Sequence, residues 1–177
     1  MAVAAQPARP TLLLRRAKSL GSLCTRDPVS RMSISIAYWC VLAAALQPYL
    51  WILVAKLPRA GGDRYDNRDP RIWLAHQTDP RTQRANAAHQ NSFEAFGPFA
   101  AGVVLAQVAG VDHTTIASLA VAFVLLRLCF GIFYLTGRST LRSLVWAAAF
   151  ACVIALLAQA AWAAAAAAAT ATVPASP

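Results

Sequence analysis

The chain has 177 residues, of which 58% are hydrophobic and only 13% charged, and its formal net charge is +9. A soluble domain of this length needs more charged surface, so the composition favours a membrane protein with several apolar spans. Most of the basic residues lie in the first 31 positions and between the apolar runs, where membrane-protein loops carry them. We therefore expect membrane lipids, and no nucleic acid, among its partners.

The N-terminal segment is open to three interpretations. Residues 1–31 hold six of the sixteen basic residues and a single acidic one. They are consistent with a targeting presequence, with a disordered tail, or with residues upstream of a true start at Met32. We expect a basic extension over 1–31, a helical membrane domain over 32–170 and a tail over 171–177.

Four apolar runs of membrane-spanning length follow one another along the chain. They cover about 34–57, 85–111, 114–135 and 141–169. The first contains Pro48, which a membrane helix tolerates as a kink. Asp112 is placed to cap the third helix, and Gly137 is placed to end it. The predicted fold is all-α, an integral membrane four-helix bundle.

The connections between the runs predict an orientation. The first connection is rich in arginine, the second has neither Lys nor Arg, and the third carries Arg138. The positive-inside rule therefore puts the first and third connections in the cytoplasm, with the second connection and both termini outside. A basic tail over 1–31 would conflict with this orientation, and a start at Met32 removes the conflict.

The cysteines and histidines predict neither a metal site nor a disulfide framework. Four cysteines and three histidines are scattered along the chain, with no C-x-x-C pair and no spacing typical of metal ligands. Three of the cysteines lie in apolar runs, where a free thiol behaves as a small hydrophobic group.

Polar side chains inside the second and third runs are the strongest functional signal. Arg84, Asn91 and Glu94 share one face of the second helix, and Arg127 and Tyr134 share one face of the third. Glu94 and Arg127 lie near the middle of neighbouring spans, so we expect an ion pair between them. A single pair could simply fix helix register, but the larger set favours a binding site for an anionic, peptide-like ligand.

Two stretches resemble the signatures of one family, the membrane-associated proteins in eicosanoid and glutathione metabolism (MAPEG), which includes microsomal glutathione transferases. In the second helix, Arg is followed by Asn seven residues later, by Glu three after that, and then by Pro-Phe. The second stretch reads "RLCFGIFYLTGRSTLRS". The resemblance covers about residues 34–160, and the matched residues are Arg84, Ala88, Asn91, Glu94, Pro98, Phe99, Arg127, Tyr134, Arg138, Arg142 and Ser143.

The resemblance implies a function and a site. It implies a homotrimer that binds glutathione, as co-substrate, through Arg84, Asn91, Glu94, Arg127, Tyr134 and Arg138. The matched Arg142, helped by Ser143, would stabilise the thiolate, because a neighbouring cation favours the anionic form of a thiol. The implied activity is that of a transferase or peroxidase using glutathione or another thiol on small lipophilic electrophiles. The alternative is a non-catalytic family member that binds lipid or modulates a partner.

The chain also departs from the family pattern. Ala87 stands where eukaryotic catalytic members often carry a second Arg, and Phe130 stands where some synthases carry a His. The composition, rich in Ala and Arg, is typical of bacterial proteins, which predicts a multi-pass protein of the bacterial inner membrane. A transporter is disfavoured, because the four short spans show no inverted repeat and no pair of broken helices.

Overall fold

The computed structural model describes residues 28–57 and 64–171, and these form five helices and no strand. The helices are α1 (Pro28–Lys56), α2 (Pro70–His76), α3 (Pro80–Val108), α4 (His113–Leu135) and α5 (Ser139–Ala171). The all-α prediction is confirmed for this part of the chain. Positions 1–27 of the predicted extension and 172–177 of the predicted tail lie outside the described residues.

The first long helix begins earlier than the apolar pattern suggested. Helix α1 starts at Pro28 rather than near 34, and it continues through Pro48. Proline is well placed at a helix start, because its missing N–H would have no partner in the first turn. The Nδ1 atom of His89 lies 2.8 Å from the carbonyl oxygen of Pro48. Because a carbonyl can only accept, Nδ1 carries the proton, and this bond joins α1 to α3.

Two helix starts in the first connection were missed or misplaced by the sequence prediction. The short helix α2 follows Asp69, and α3 begins at Pro80, five residues before the predicted 85. The side chain of Asp79 accepts a 2.9 Å hydrogen bond from the backbone N–H of Thr82, which caps α3. Both starts carry an Asp-Pro pair, a recognised helix-start signal that hydropathy alone does not register.

The two remaining turns have the predicted chemistry. Asp112 caps α4 by accepting a 2.8 Å bond from the backbone N–H of Thr115. After α4, Gly137 has φ +74°. The backbone N–H groups of Gly137 and Arg138 donate to the carbonyls of Tyr134 and Phe133. This is a Schellman motif, in which glycine adopts the left-handed conformation without steric cost, and it confirms Gly137 as the helix stop.

Helices α3 and α4 lie at the centre of the packing. They contact each other, and each also contacts α1 and α5. Phe99 of α3 stacks on Phe123 of α4, with ring centroids 3.9 Å apart. Gly131 of α4 lies against the Trp51 ring of α1, and a Cβ at this position would overlap that ring. The absence of a side chain at Gly131 therefore sets how closely α1 and α4 approach.

Three of the described helices are long and apolar enough to cross a membrane. They are Met32–Lys56, His113–Leu135 and Ser139–Thr170. Helix α3 is also long enough to cross a membrane, but its polar residues make its mean hydropathy lower than that of these three helices. Large apolar side chains such as Trp39, Leu53 and Val108 lie more than half exposed on the outer surface. Such a surface is suited to lipid or to other apolar helices.

Candidate functional site

The site is built around a buried guanidinium on α4. Arg127 is only 1% exposed. Its Nη1 donates to Oδ1 of Asn91 over 2.9 Å, and its Nη2 donates to the hydroxyl of Ser92 over 3.3 Å. The Nε–H has no acceptor among the described residues. Burying a charge is costly unless it is hydrogen-bonded, so α3 supplies the two polar partners that hold this cation in place.

The predicted ion pair between Glu94 and Arg127 is wrong as a direct contact. Between the two charges stands Asn91, whose Nδ2 donates to Oε2 of Glu94 over 3.0 Å while its Oδ1 accepts from Arg127. An amide can do both, because it has a donor end and an acceptor end. The carboxylate is therefore coupled to the cation through the amide, and Glu94 keeps an exposed side chain.

Two aromatic rings of α4 separate the guanidinium groups of Arg127 and Arg142. The Arg127 guanidinium lies 4.2 Å from the centroid of the Phe130 ring, and the Arg142 guanidinium lies 4.5 Å from that of Tyr134. The two rings meet edge to face, 5.4 Å apart. Positions 127, 130 and 134 share one face of the helix, so they form a continuous row. Each cation is stabilised by the face of a ring.

A cavity of about 360 Å³ opens beside this row. It is lined by Ala87, Gln90, Asn91, Glu94, Phe130, Tyr134, Arg142, Ser143 and Trp146. Its volume lies within the range typical of small-molecule sites, roughly 300–1,000 Å³. The hydroxyl of Ser143 donates to the carbonyl of Ser139 over 3.1 Å, so in this structure its proton is directed at the backbone.

A second, smaller cavity of about 130 Å³ adjoins the first. It lies between α3, α4 and α5, and the two cavities share Asn91, Glu94 and Trp146 in their walls. Arg127 also lines it, and the remaining six lining residues are Ala95, Pro98, Phe123, Ala149, Phe150 and Val153. Across both cavities the lining includes two arginines and one carboxylate, which favours an anionic occupant at the polar end.

A family model, described as MAPEG family, matches residues 36–162. The chain belongs to the MAPEG family. No curated protein and no solved structure matches it. Family membership and the three apolar helices identify an integral membrane protein, in a family whose members include glutathione transferases and non-catalytic proteins. The matched range contains every residue that lines the two cavities.

Two of the predicted site residues of this MAPEG protein lie apart from the others. Arg84 is exposed, and its guanidinium lies beside Gly137, where a Cβ would come within 2.9 Å of its Nη1. Arg138 is exposed in the same turn. Neither lines either of the two cavities. Arg84 is on the face that carries Asn91, but seven residues of helix place it about 10 Å away along the axis.

Several residues of the MAPEG site were missed by sequence reasoning. Ser92 accepts the second hydrogen bond of the Arg127 guanidinium, and its own hydroxyl donates to the carbonyl of Ala88 over 2.7 Å. Gln90 and Trp146 line the larger cavity. Gln90 and Ser92 are polar and flank Asn91 in the sequence, and this position beside a predicted site residue is the signal that could have identified them. Trp146 lies in an apolar run, where no sequence signal distinguishes a tryptophan that lines a cavity from one that packs or anchors the helix at the membrane interface.

Proposed function

We propose that this protein is a membrane-bound thiol transferase or peroxidase that uses glutathione, or a similar thiol, on small lipophilic electrophiles. The observation that carries the proposal is the larger cavity, in which Arg142 and Ser143 are brought together with Asn91, Glu94 and Tyr134. These five residues come from three stretches of sequence and from three helices, α3, α4 and α5. A cavity of this size beside two guanidinium groups suits a tripeptide thiol with anionic ends.

In this proposal Arg142 stabilises the reacting anion. The thiol loses its proton, and the guanidinium beside the sulfur favours the thiolate in a partly dry site. The thiolate then forms a bond to the electrophilic carbon, whose leaving group departs with the electrons of the broken bond. With a hydroperoxide, two thiols are oxidised to a disulfide while the peroxide is reduced to an alcohol and water. The ring of Tyr134 orients Arg142, and the Ser143 hydroxyl contributes when it rotates away from Ser139.

We also propose a homotrimer whose thiol site opens to the cytoplasm, as the family resemblance implies, in a bacterial inner membrane, as the composition predicts. The contact between Arg84 and the Gly137 turn supports the location of the site, because it brings the start of α3 and the third connection to the same end of the molecule. The first connection precedes α3 and therefore lies at that end too. Mass measurement of the detergent-solubilised protein tests the trimer.

The decisive experiment measures thiolate formation, seen as a rise in ultraviolet absorbance when glutathione is added to the purified protein. We expect Arg142→Ala to abolish the rise, because the neutral side chain no longer stabilises the anion. Arg142→Lys should retain part of the absorbance rise, because the positive charge remains while the planar pair of guanidinium donors is lost. Arg81→Ala is the matched control, an exposed arginine at the start of α3 whose removal leaves the signal unchanged.

The same measurement separates the transferase from a non-catalytic family member. A wild-type protein that forms no thiolate, and does not accelerate conjugation of glutathione to 1-chloro-2,4-dinitrobenzene, would contradict the proposal and favour lipid binding or modulation of a partner. If Arg142→Ala protein forms thiolate and conjugates normally, the chemistry does not depend on Arg142.

A further inference from the structure

The smaller cavity combines an apolar wall with one buried donor that lacks an acceptor. Its walls include Phe123, Phe150 and Val153, and the buried Arg127 lines it from α4. The Nε–H of this arginine is buried and has no hydrogen-bond partner among the described residues. Because nearly all buried N–H groups in proteins are paired, an oxygen atom of a bound molecule is a natural partner for this one.

The charges around the cavity favour a neutral molecule. Two neutral groups, Asn91 and Ser92, already hold the Nη1 and Nη2 atoms of Arg127. The carboxylate of Glu94 lines the same cavity, so a second anion placed here would meet a like charge. Most of the lining is aromatic or aliphatic, and this part of the site stabilises an apolar body better than an ionic one.

The volume of the cavity limits the size of that molecule. At about 130 Å³ it is close to the apolar cavity of roughly 150 Å³ that holds benzene in another protein. Trp146 and Phe150 form part of the wall, stack 5.5 Å apart, and are both partly exposed on the outer surface. The cavity therefore borders the apolar outer surface of the single chain, through which a lipophilic molecule can enter.

We propose that this cavity binds the apolar end of the electrophile, a single aromatic ring or short branched chain with one neutral oxygen that accepts from Nε of Arg127. The shared wall of Asn91, Glu94 and Trp146 then places the rest of the electrophile in the larger cavity, beside Arg142. The role as electrophile site rests on the proposed function. The binding of a small oxygen-bearing ring in this cavity does not depend on the proposed function.

The test uses unreactive probes and the full chain in lipid nanodiscs, with empty nanodiscs as the reference for partition into lipid. Fluorine NMR follows 4-fluoroacetophenone, and its isostere 4-fluoro-α-methylstyrene, in which CH₂ replaces the carbonyl oxygen. We expect one saturable site per chain for the ketone and roughly tenfold weaker binding of the alkene, because one hydrogen bond to a charged donor is lost. The larger 2-acetyl-6-fluoronaphthalene should show no saturable binding.

Two substitutions locate the site. Ala149 lines the cavity and is buried, whereas its neighbour Ala148 is exposed and does not line it. We expect Ala149→Leu to abolish saturable binding of the ketone, because the larger side chain fills the cavity, and Ala148→Leu to leave binding unchanged. The comparison of ketone with alkene in the wild-type protein needs no variant, so it decides the question even if Ala149→Leu fails to fold.

Three results would overturn the proposal. They are equal affinity for ketone and alkene, unchanged binding in Ala149→Leu, and simple partition as in empty nanodiscs, which would mean that the cavity holds water only. None of the probes has a leaving group, and no thiol is added. Saturable binding without conjugation therefore contradicts only the proposed function, and Arg142-dependent conjugation without saturable binding contradicts only this cavity assignment.

Discussion

At the residue scale, the site depends on an amide that bridges two charges. The sequence identified Asn91, Glu94 and Arg127 as members of one cluster, because helical periodicity places them on facing surfaces. It could not determine which of the two α3 residues contacts Arg127. Asn91 and Glu94 lie one turn apart on α3, so periodicity alone lets either reach the arginine, and only the packing distance between α3 and α4 decides that Asn91 does. The same packing distance between α3 and α4 brings the Ser92 hydroxyl within hydrogen-bonding reach of Arg127.

The bridging role predicts unequal effects of two substitutions. Asn91→Leu removes an acceptor from a buried cation and should lower the free energy of unfolding by roughly 2 kcal/mol. Glu94→Gln should cost about 1 kcal/mol or less, because the glutamine carbonyl still accepts from Nδ2 of Asn91. Denaturation by SDS in mixed micelles measures both. A loss in Glu94→Gln as large as that in Asn91→Leu would indicate a direct contact between Glu94 and Arg127.

At the scale of the helices, the ends are set by caps and the spacing is set by small residues. The predicted helix ends were correct where a cap was recognised, as at Asp112 and Gly137, and incorrect where only hydropathy was used, as at the start of α3. The contact of Gly131 with Trp51 was not predicted. A glycine in an apolar run has many possible partners, and the sequence does not say which ring lies against it.

The close approach of α1 and α4 predicts a strong effect of one methyl group. Gly131→Ala should destabilise the protein by about 1–3 kcal/mol, because the new Cβ overlaps the Trp51 ring and forces the helices apart. The control is Gly97→Ala, at a helical glycine with open space around its Cβ position. It should be neutral or slightly stabilising. Thermal unfolding measures both variants, and equal midpoints would show that the Trp51 ring moves away at little cost.

The cap of α4 predicts a dependence of stability on pH. The backbone N–H and hydroxyl of Thr115 donate to Asp112 and lower the pKa of its carboxyl from the ordinary value. The charged form is therefore favoured by folding, so its contribution is present above the ordinary pKa and is lost as pH falls through the lowered one. Asp112→Asn caps without titrating.

We therefore expect the melting temperature of the wild type, measured relative to Asp112→Asn, to fall between neutral pH and about pH 3. The comparison between the two proteins removes the titration of every other carboxyl group that they share. A difference that stays constant over this range would show that the Asp112 cap does not depend on its charge.

At the scale of the whole molecule, the path of α3 relative to the membrane sets the topology of the chain. Helix α3 supplies six of the sixteen residues that line the two cavities, and its polar residues are the reason that composition does not assign it to the membrane. Yet it contacts the three other long helices, all of which are apolar enough to cross. The apolar run over about 85–111 predicted a span at this position, whereas the hydropathy of the whole helix stays below that of the three other long helices, because the residues that make the site are those that lower the hydropathy.

We expect α3 to cross the membrane. Single cysteines introduced at Asp66 and Gly110, before and after α3, should then react with a membrane-impermeant maleimide from opposite sides in oriented vesicles. A reporter fused at Pro177 should lie on the side of Gly110, away from the cytoplasm. The native Cys24, Cys40, Cys129 and Cys152 are first replaced by serine. Labelling of both introduced cysteines from one side would show that α3 does not cross.

The length of α5 has a consequence for the fit between protein and bilayer. Its 33 residues extend about 50 Å, whereas the 23 residues of α4 extend about 35 Å, close to the hydrocarbon thickness of roughly 30 Å. Trp162 lies about 35 Å along α5 from Ser139, at the depth where tryptophan prefers the head-group boundary. The alanine-rich turns beyond it extend past that boundary. A thicker bilayer can cover them at little energetic cost, so hydrophobic mismatch at this end is small across membranes of different thickness.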